Sequence, residues 1–204
     1  MSPLRLAPAL ALSTSLLMAA CASLPPPAPP IIAMSTWGGT PAAPTSPAQQ
    51  ISRITLHHQG ETWAAGRDPA DYLRRLQLWS RQTKLWADIP YHYVIAPDGR
   101  VYAARPETQA GDTNTEYKPQ GHLLVMLLGN FEEQQPSTEA LAASVELMAW
   151  LARRHGLGPE RIAAHRDFSQ QTVCPGRNLY AHLESGWLHR AVQARMIGQP
   201  MPRP

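Results

Sequence analysis

The sequence predicts an α/β domain: a central mixed β-sheet flanked by helices. Three observations predict it. Strand-like and helix-like segments interleave along the chain from Ile51 onward, which is the pattern of layered α/β folds. The run from His122 to Leu128 is uniformly apolar and ends at Gly129-Asn130, as expected of a central strand covered on both faces. Pro97-Asp98-Gly99 is a turn signal between two short strands and marks a hairpin.

Each element has its own local reason. Ile51 to His58 alternates, with Ile54 and Leu56 on one face and Arg53 and Thr55 on the other, so it reads as a strand. Asp68-Pro69-Ala70-Asp71 supplies an N-cap, a proline at the first helical position and an acidic first turn. The helix it opens runs to about Lys84, with Tyr72, Leu73, Leu76 and Trp79 or Ser80 at helical spacing. Tyr91–Ile95 and Arg100–Ala104 form the hairpin arms. After Pro136, Ser137 or Thr138 can cap a helix that Gly156 closes just beyond His155. Arg161–Ala164 is a short strand, Asn178 to about Arg195 a final helix, and residues 199–204 a frayed end.

The start of the chain is of a different kind. Arg5 precedes an apolar, small-residue stretch from about Ala7 to Ala20, too short for a stable membrane span and suited to the core of a signal peptide. It ends in Leu17-Met18-Ala19-Ala20-Cys21, which resembles the lipobox of bacterial lipoproteins. That resemblance implies cleavage after Ala20, lipidation of Cys21 and, with Ala22 next, an outer-membrane lipoprotein facing the periplasm. The alternatives are an ordinary cleaved signal with an incidental cysteine, and a Cys21–Cys174 disulfide, since these are the two cysteines of the chain. Residues 25–49 hold eight prolines and no charge, so residues 21–49 read as an extended Pro-rich tether, at about 3.1 Å per residue. The expected organisation is thus a signal over 1–20, a tether over 21–49, a domain over 50–198 and a loose end. The net charge of +3 is mild, and no basic run or aromatic–basic interleaving suggests nucleic-acid binding.

Metal-ligand residue types concentrate in two segments. One is Leu56-His57-His58 at a strand end; the other runs from Ala164-His165-Arg166-Asp167 to Val173-Cys174-Pro175-Gly176. Imidazole nitrogen and thiolate sulfur are preferred ligands of Zn²⁺, and three protein ligands with one open position is the catalytic arrangement. Strand alternation sends His57 and His58 to opposite faces, so one metal cannot easily take both, but alternation does not choose between them.

Four ordered blocks add a specific signal: Ile54–Gln59, Trp86–Pro106, Leu127–Glu132 and Ala164–Tyr180. Together they resemble the zinc-dependent N-acetylmuramoyl-L-alanine amidases, the family that includes peptidoglycan recognition proteins and bacteriophage lysozyme-type amidases. The resemblance covers about residues 51–185. It implies a recognition-protein-like amidase fold, a Zn²⁺ ion held by His57, His165 and Cys174, and hydrolysis of the bond between N-acetylmuramic acid and L-alanine in peptidoglycan or its fragments. His58 is then a packed or hydrogen-bonded neighbour. Tyr91 takes the place of the family's catalytic tyrosine. Thr172 takes a position held by lysine or threonine, where a loop hydroxyl capping backbone groups is an equal alternative. His92 and His122 read as structural, and four of the six tryptophans, Trp63, Trp79, Trp86 and Trp150, as either core residues or sugar-stacking platforms. Two departures stand out: Gln109-Ala110-Gly111-Asp112-Thr113 stands where many relatives carry a histidine, and His165 to Cys174 spans one residue more than in some relatives. A peptidoglycan-binding module that does not cut, and a structural envelope lipoprotein without metal, are the competing readings. A monomer with a muropeptide substrate is expected.

Overall fold

The computed structural model describes residues 27–43 and 48–204. The signal segment and Cys21 lie outside them. Six strands form one mixed sheet: β1 (Ile31–Ile32), β2 (Arg53–His58), β3 (Tyr93–Ile95), β4 (Val101–Ala103), β5 (His122–Leu127) and β6 (Ile162–Ala164), in the order β1-β4-β3-β5-β2-β6. Only β3 and β4 run antiparallel, joined by the expected Pro97-Asp98-Gly99 turn. β5 sits at the centre, parallel to both β3 and β2, with every residue buried. Among the described residues no helix is long and apolar enough to cross a membrane.

Helices α2 (Thr138–Arg154), α3 (Arg177–Glu184) and α4 (Trp187–Met196) cover one face. Ile54, Leu56, Leu123, Val125 and Leu127 of the sheet meet Val145, Leu147, Met148, Leu151 and Leu188 there. Helix α1 (Pro69–Gln82) covers part of the other face, where Val94 and Met126 share a second core with Leu73 and Trp37. Alternation along each strand therefore feeds two cores, one per face. Asp68 caps α1 by accepting from the backbone N–H groups of Ala70 and Asp71, and Ser137 caps α2 through Ala140.

Three expectations are corrected. The described part of the tether is docked rather than free. Ile31 and Ile32 add a parallel edge strand to β4, Trp37 is 1% exposed, and its indole donates to the Ala103 carbonyl. Thr40, Ala42 and Ala43 are tied to Gln77, Asp88 and Gln109. Proline content hid three large apolar residues that repay ordering by burial. The folded body accordingly includes residues before 50. The final helix is two helices, because Gly186 (φ 71°) takes the left-handed conformation and turns the chain between α3 and α4. The C-terminal end is not frayed: the Trp187 indole donates to the Pro202 carbonyl at 3.0 Å, and Met201 packs on the main core.

Candidate metal centre

The site lies at the C-terminal ends of β2 and β6, on the α1 side of the sheet. Because Leu56 faces the α2–α4 core, its neighbour His57 faces the opposite side and His58 returns to the first. His165 follows β6 directly, at the start of a short 3-10 turn that Asp167 caps by accepting from the Ala164 N–H. Cys174 arrives on a loop clamped against the turn after β5. The Asn178 N–H donates to the Phe131 carbonyl, and a Cβ on Gly176 would come within 2.4 Å of the Phe131 backbone. Gly176, at φ 86°, is where the chain needs both the left-handed conformation and the missing side chain.

These elements bring His57, His165 and Cys174 together, with one ligand atom from each all within 4.8 Å of one another. All three are buried, at 3%, 8% and 7% exposure. His57 Nδ1 lies 3.6 Å from Cys174 Sγ, and the His57 and His165 rings are 4.7 Å apart. The His58 ring stands apart from this cluster: its Nδ1 accepts from the Phe131 N–H, while the His58 backbone N–H donates to Cys174 Sγ. His92 and His122 are likewise tied into the fold, His92 through the Leu124 N–H and Gln109 carbonyl, and His122 through Thr55.

The donor set fits a zinc ion on three grounds. Two imidazoles and a thiol are a borderline-soft set suited to Zn²⁺. Burial keeps both imidazoles neutral, the ligating form, by holding His57 well below its ordinary range and His165 at about 4. His57 Nε2 is buried with no hydrogen-bond partner among the described residues, and burial pushes the Cys174 thiol up to about 12. A thiol this costly to ionise becomes a thiolate readily only beside a cation.

A groove of about 700 Å³ opens over the cluster. Tyr91 lines it, its ring 5.3 Å from His57, and burial raises its hydroxyl pKa well above the ordinary value, so it is a proton-bearing donor. Thr172 lines it too, while its Oγ1 accepts from the Cys174 N–H at 3.1 Å. Of Trp63, Trp79, Trp86 and Trp150, the middle two line the groove, packed edge to face at 6.0 Å with the Lys84 ammonium near both rings. The α1 spacing that left Trp79 or Ser80 open resolves with Ser80 in the core and Trp79 43% exposed. Trp63 and Tyr72 carry the guanidinium of Arg67, which also lines the groove. Arg67 and Asn114-Thr115 give no signal in the sequence, since a lone arginine and a polar loop carry no pattern. Asp112, in the segment that lacks the family histidine, pairs with Arg105.

The profile of the N-acetylmuramoyl-L-alanine amidase family matches residues 47–177, more than half of the chain. Peptidoglycan-recognition protein SD of Drosophila simulans is 31% identical over 163 residues, covering 76% of this chain and 84% of that protein. The crystal structure of the Drosophila protein SD superposes with a TM-score of 0.67 at 30% identity, over 76% of this chain and 93% of that one. N-acetylmuramoyl-L-alanine amidase LysC from Clostridium intestinale shares the fold, with a TM-score of 0.62 at 24% identity over 76% and 98% of the two chains. Sequence, fold and the converged histidine–histidine–cysteine cluster agree, and the chain belongs to the type 2 N-acetylmuramoyl-L-alanine amidase and peptidoglycan-recognition-protein family.

Proposed function

We propose that this protein is a zinc-dependent amidase that hydrolyses the bond between N-acetylmuramic acid and L-alanine in peptidoglycan or its fragments. The observation that carries the reading is the convergence of His57, His165 and Cys174 at the floor of an open groove. His57, His165 and Cys174 would hold the zinc ion, which would supply Lewis acidity for the scissile carbonyl and lower the pKa of a water molecule toward about 7. The chain's own residues do the rest. Tyr91, kept protonated by burial, donates a hydrogen bond to the carbonyl oxygen as negative charge develops on it. Thr172 braces the Cys174 backbone and so holds the sulfur in place. Arg67, stacked on Trp63 and Tyr72, offers a fixed guanidinium to a free carboxylate on the peptide side. Trp79 and Trp86 present ring faces and edges to the less polar parts of the substrate.

The test is mass analysis of products after the full-length protein meets purified sacculi, beside zinc analysis of the same preparation. Peptides freed from muramic acid, with about one zinc per chain, are the expected result. Zinc with tight binding but no release favours a recognition protein that does not cut, a second reading supported by the relatives named as recognition proteins. No zinc and no binding overturns both.

The reading places the protein on the outer membrane, facing the periplasm, anchored through lipidated Cys21 as a monomer. Because Ile31 is docked on the sheet edge, the ten residues from Cys21 to Ile31 span at most about 35 Å fully extended. The domain then works close to the membrane. Cys21→Ala is expected to leave the protein uncleaved or free in the periplasm, and unchanged membrane fractionation would remove the anchor.

A further inference from the structure

Asp112 to Thr115 form one wall of the groove, and the loop they make with Glu116 is bonded at both ends. Asp112 pairs with the buried guanidinium of Arg105, which also donates to the Asp88 carbonyl. Glu116 accepts from Ser169 Oγ at 2.6 Å and from the Gln170 N–H at 3.0 Å, in the segment that links His165 to Cys174. Between these anchors runs a short relay. His165 Nε2 and Thr115 Oγ1 are 2.8 Å apart, Thr115 Oγ1 and Thr113 Oγ1 are 2.8 Å apart, and the Thr115 N–H donates to Thr113 Oγ1 at 3.1 Å.

We infer that Thr115, backed by Thr113, is a positioning residue that sets His165 as a metal ligand. The inference rests on the zinc reading above. A histidine offers one nitrogen to a metal and its other N–H to a fixed acceptor, and that acceptor sets both tautomer and ring orientation. Here Nε2 is taken by Thr115, so Nδ1 is the atom left for the cluster with His57 and Cys174. With Nδ1 given to the metal, Nε2 carries the ring proton, and that sets the direction of the relay. Thr113 Oγ1 accepts from the Thr115 N–H and still has capacity for the Thr115 hydroxyl proton. Thr115 Oγ1, its own proton given to Thr113, then accepts from His165 Nε2–H. The ring of Tyr117, 4.8 Å from that of His165, closes the other side against tilting. The wall that substrate would touch and the ligand that would hold the metal are thus one hydrogen-bonded unit.

Thr115→Val keeps the branched shape and removes the acceptor. In the full-length protein, zinc affinity measured by competition with a chromophoric chelator is expected to fall about 10–100-fold, the usual cost of losing such a partner. Thr115→Ser should restore it, and Thr113→Val should cost less than Thr115→Val. On the zinc-free protein, nitrogen-15 spectra of the imidazole should show His165 as the Nε2–H tautomer in the parent and a mixture in Thr115→Val. Parent-like affinity together with a parent-like tautomer in Thr115→Val overturns the relay while leaving the zinc reading intact. A drop that Thr115→Ser fails to rescue, with an unchanged tautomer, assigns Thr115 a packing role and also overturns it. If the parent takes up no zinc, the zinc reading falls by itself, and the tautomer spectra still decide whether the relay exists.

Discussion

The two faces of the sheet are made by the same strands and serve opposite ends. On the side of α2, α3 and α4, Leu123, Val125 and Leu127 meet a continuous apolar layer that includes Leu147, Met148 and Ala149, each without exposed surface. On the α1 side the apolar layer is smaller, and past the C-terminal ends of the strands it gives way to imidazole, hydroxyl and guanidinium groups around a groove. The pair His57–His58 shows the difference within one dipeptide. His58 is spent on holding the turn at Phe131, and His57 is left with a buried nitrogen unpartnered among the described residues. Sealing one face lets the other keep polar groups that are incompletely satisfied until a ligand arrives.

The sharpest way to break this comparison is to exchange the fates of the two histidines. His57→Ala is expected to abolish both zinc uptake and turnover while the fold, monitored by circular dichroism, persists. His58→Ala is expected to retain zinc and to lose stability, by about 1–2 kcal/mol, because the Phe131 N–H loses its acceptor. Measuring zinc content and chemical denaturation on both variants decides it. Zinc lost from His58→Ala and kept in His57→Ala would reverse the assignment of faces.

The next largest effect concerns the docked N-terminal segment. Trp37 fills the second core, and a large aromatic cut to alanine in a core costs about 3–5 kcal/mol. Trp37→Ala is expected to lower the denaturation midpoint accordingly while leaving zinc stoichiometry at one. A free tether predicts no change at all, so an unchanged midpoint would return residues 27–43 to the spacer that their proline content suggests.

Legibility followed the same division. The strong periodic elements, β2, α1, the β3–β4 hairpin, β5 and α2, were readable because each carries its signal within a few residues. The candidate ligand residues His57, His165 and Cys174 were singled out by type and by resemblance, while alternation alone left His57 and His58 undecided. Chain topology settles their separation: β2 must show Leu56 to α2 before His57 can face α1. The edge strand Ile31–Ile32 was illegible because two residues carry no period, and its partner β4 lies seventy residues away. The break at Gly186 was missed because a glycine inside an apolar helical pattern reads as a tolerated defect. Thr115 left no trace, since its role exists only in the distance to His165.

A third test sharpens the chemistry of the open face. Tyr91→Phe removes one hydroxyl and keeps the ring against His57. Zinc affinity should hold while kcat falls roughly 10²-fold, as for loss of one donor to a developing oxyanion. A fall in zinc affinity equal to the fall in rate would make Tyr91 part of the scaffold.

The smallest expected effect tests where the open face ends. Thr172 lines the groove, but its oxygen already accepts from the Cys174 N–H, in the pattern by which short hydroxyl side chains brace the backbone two residues on. A threonine that only braces this loop acts on the sulfur and not on substrate, and its loss should then be mild. Thr172→Val preserves the branched shape and removes the acceptor, leaving a buried N–H unpaired. The cost should be about 1 kcal/mol of stability. Zinc affinity should drop modestly, and turnover by the zinc-loaded enzyme should stay within about tenfold of the parent, a change of about 1.4 kcal/mol in barrier. Thr172→Ser should match the parent in all three measurements. Turnover slowed by roughly a hundredfold or more at full zinc occupancy, the scale of a lost oxyanion donor, would mean that the hydroxyl meets the reacting atoms. The boundary between scaffold and chemistry would then move two residues outward along the Cys174 loop.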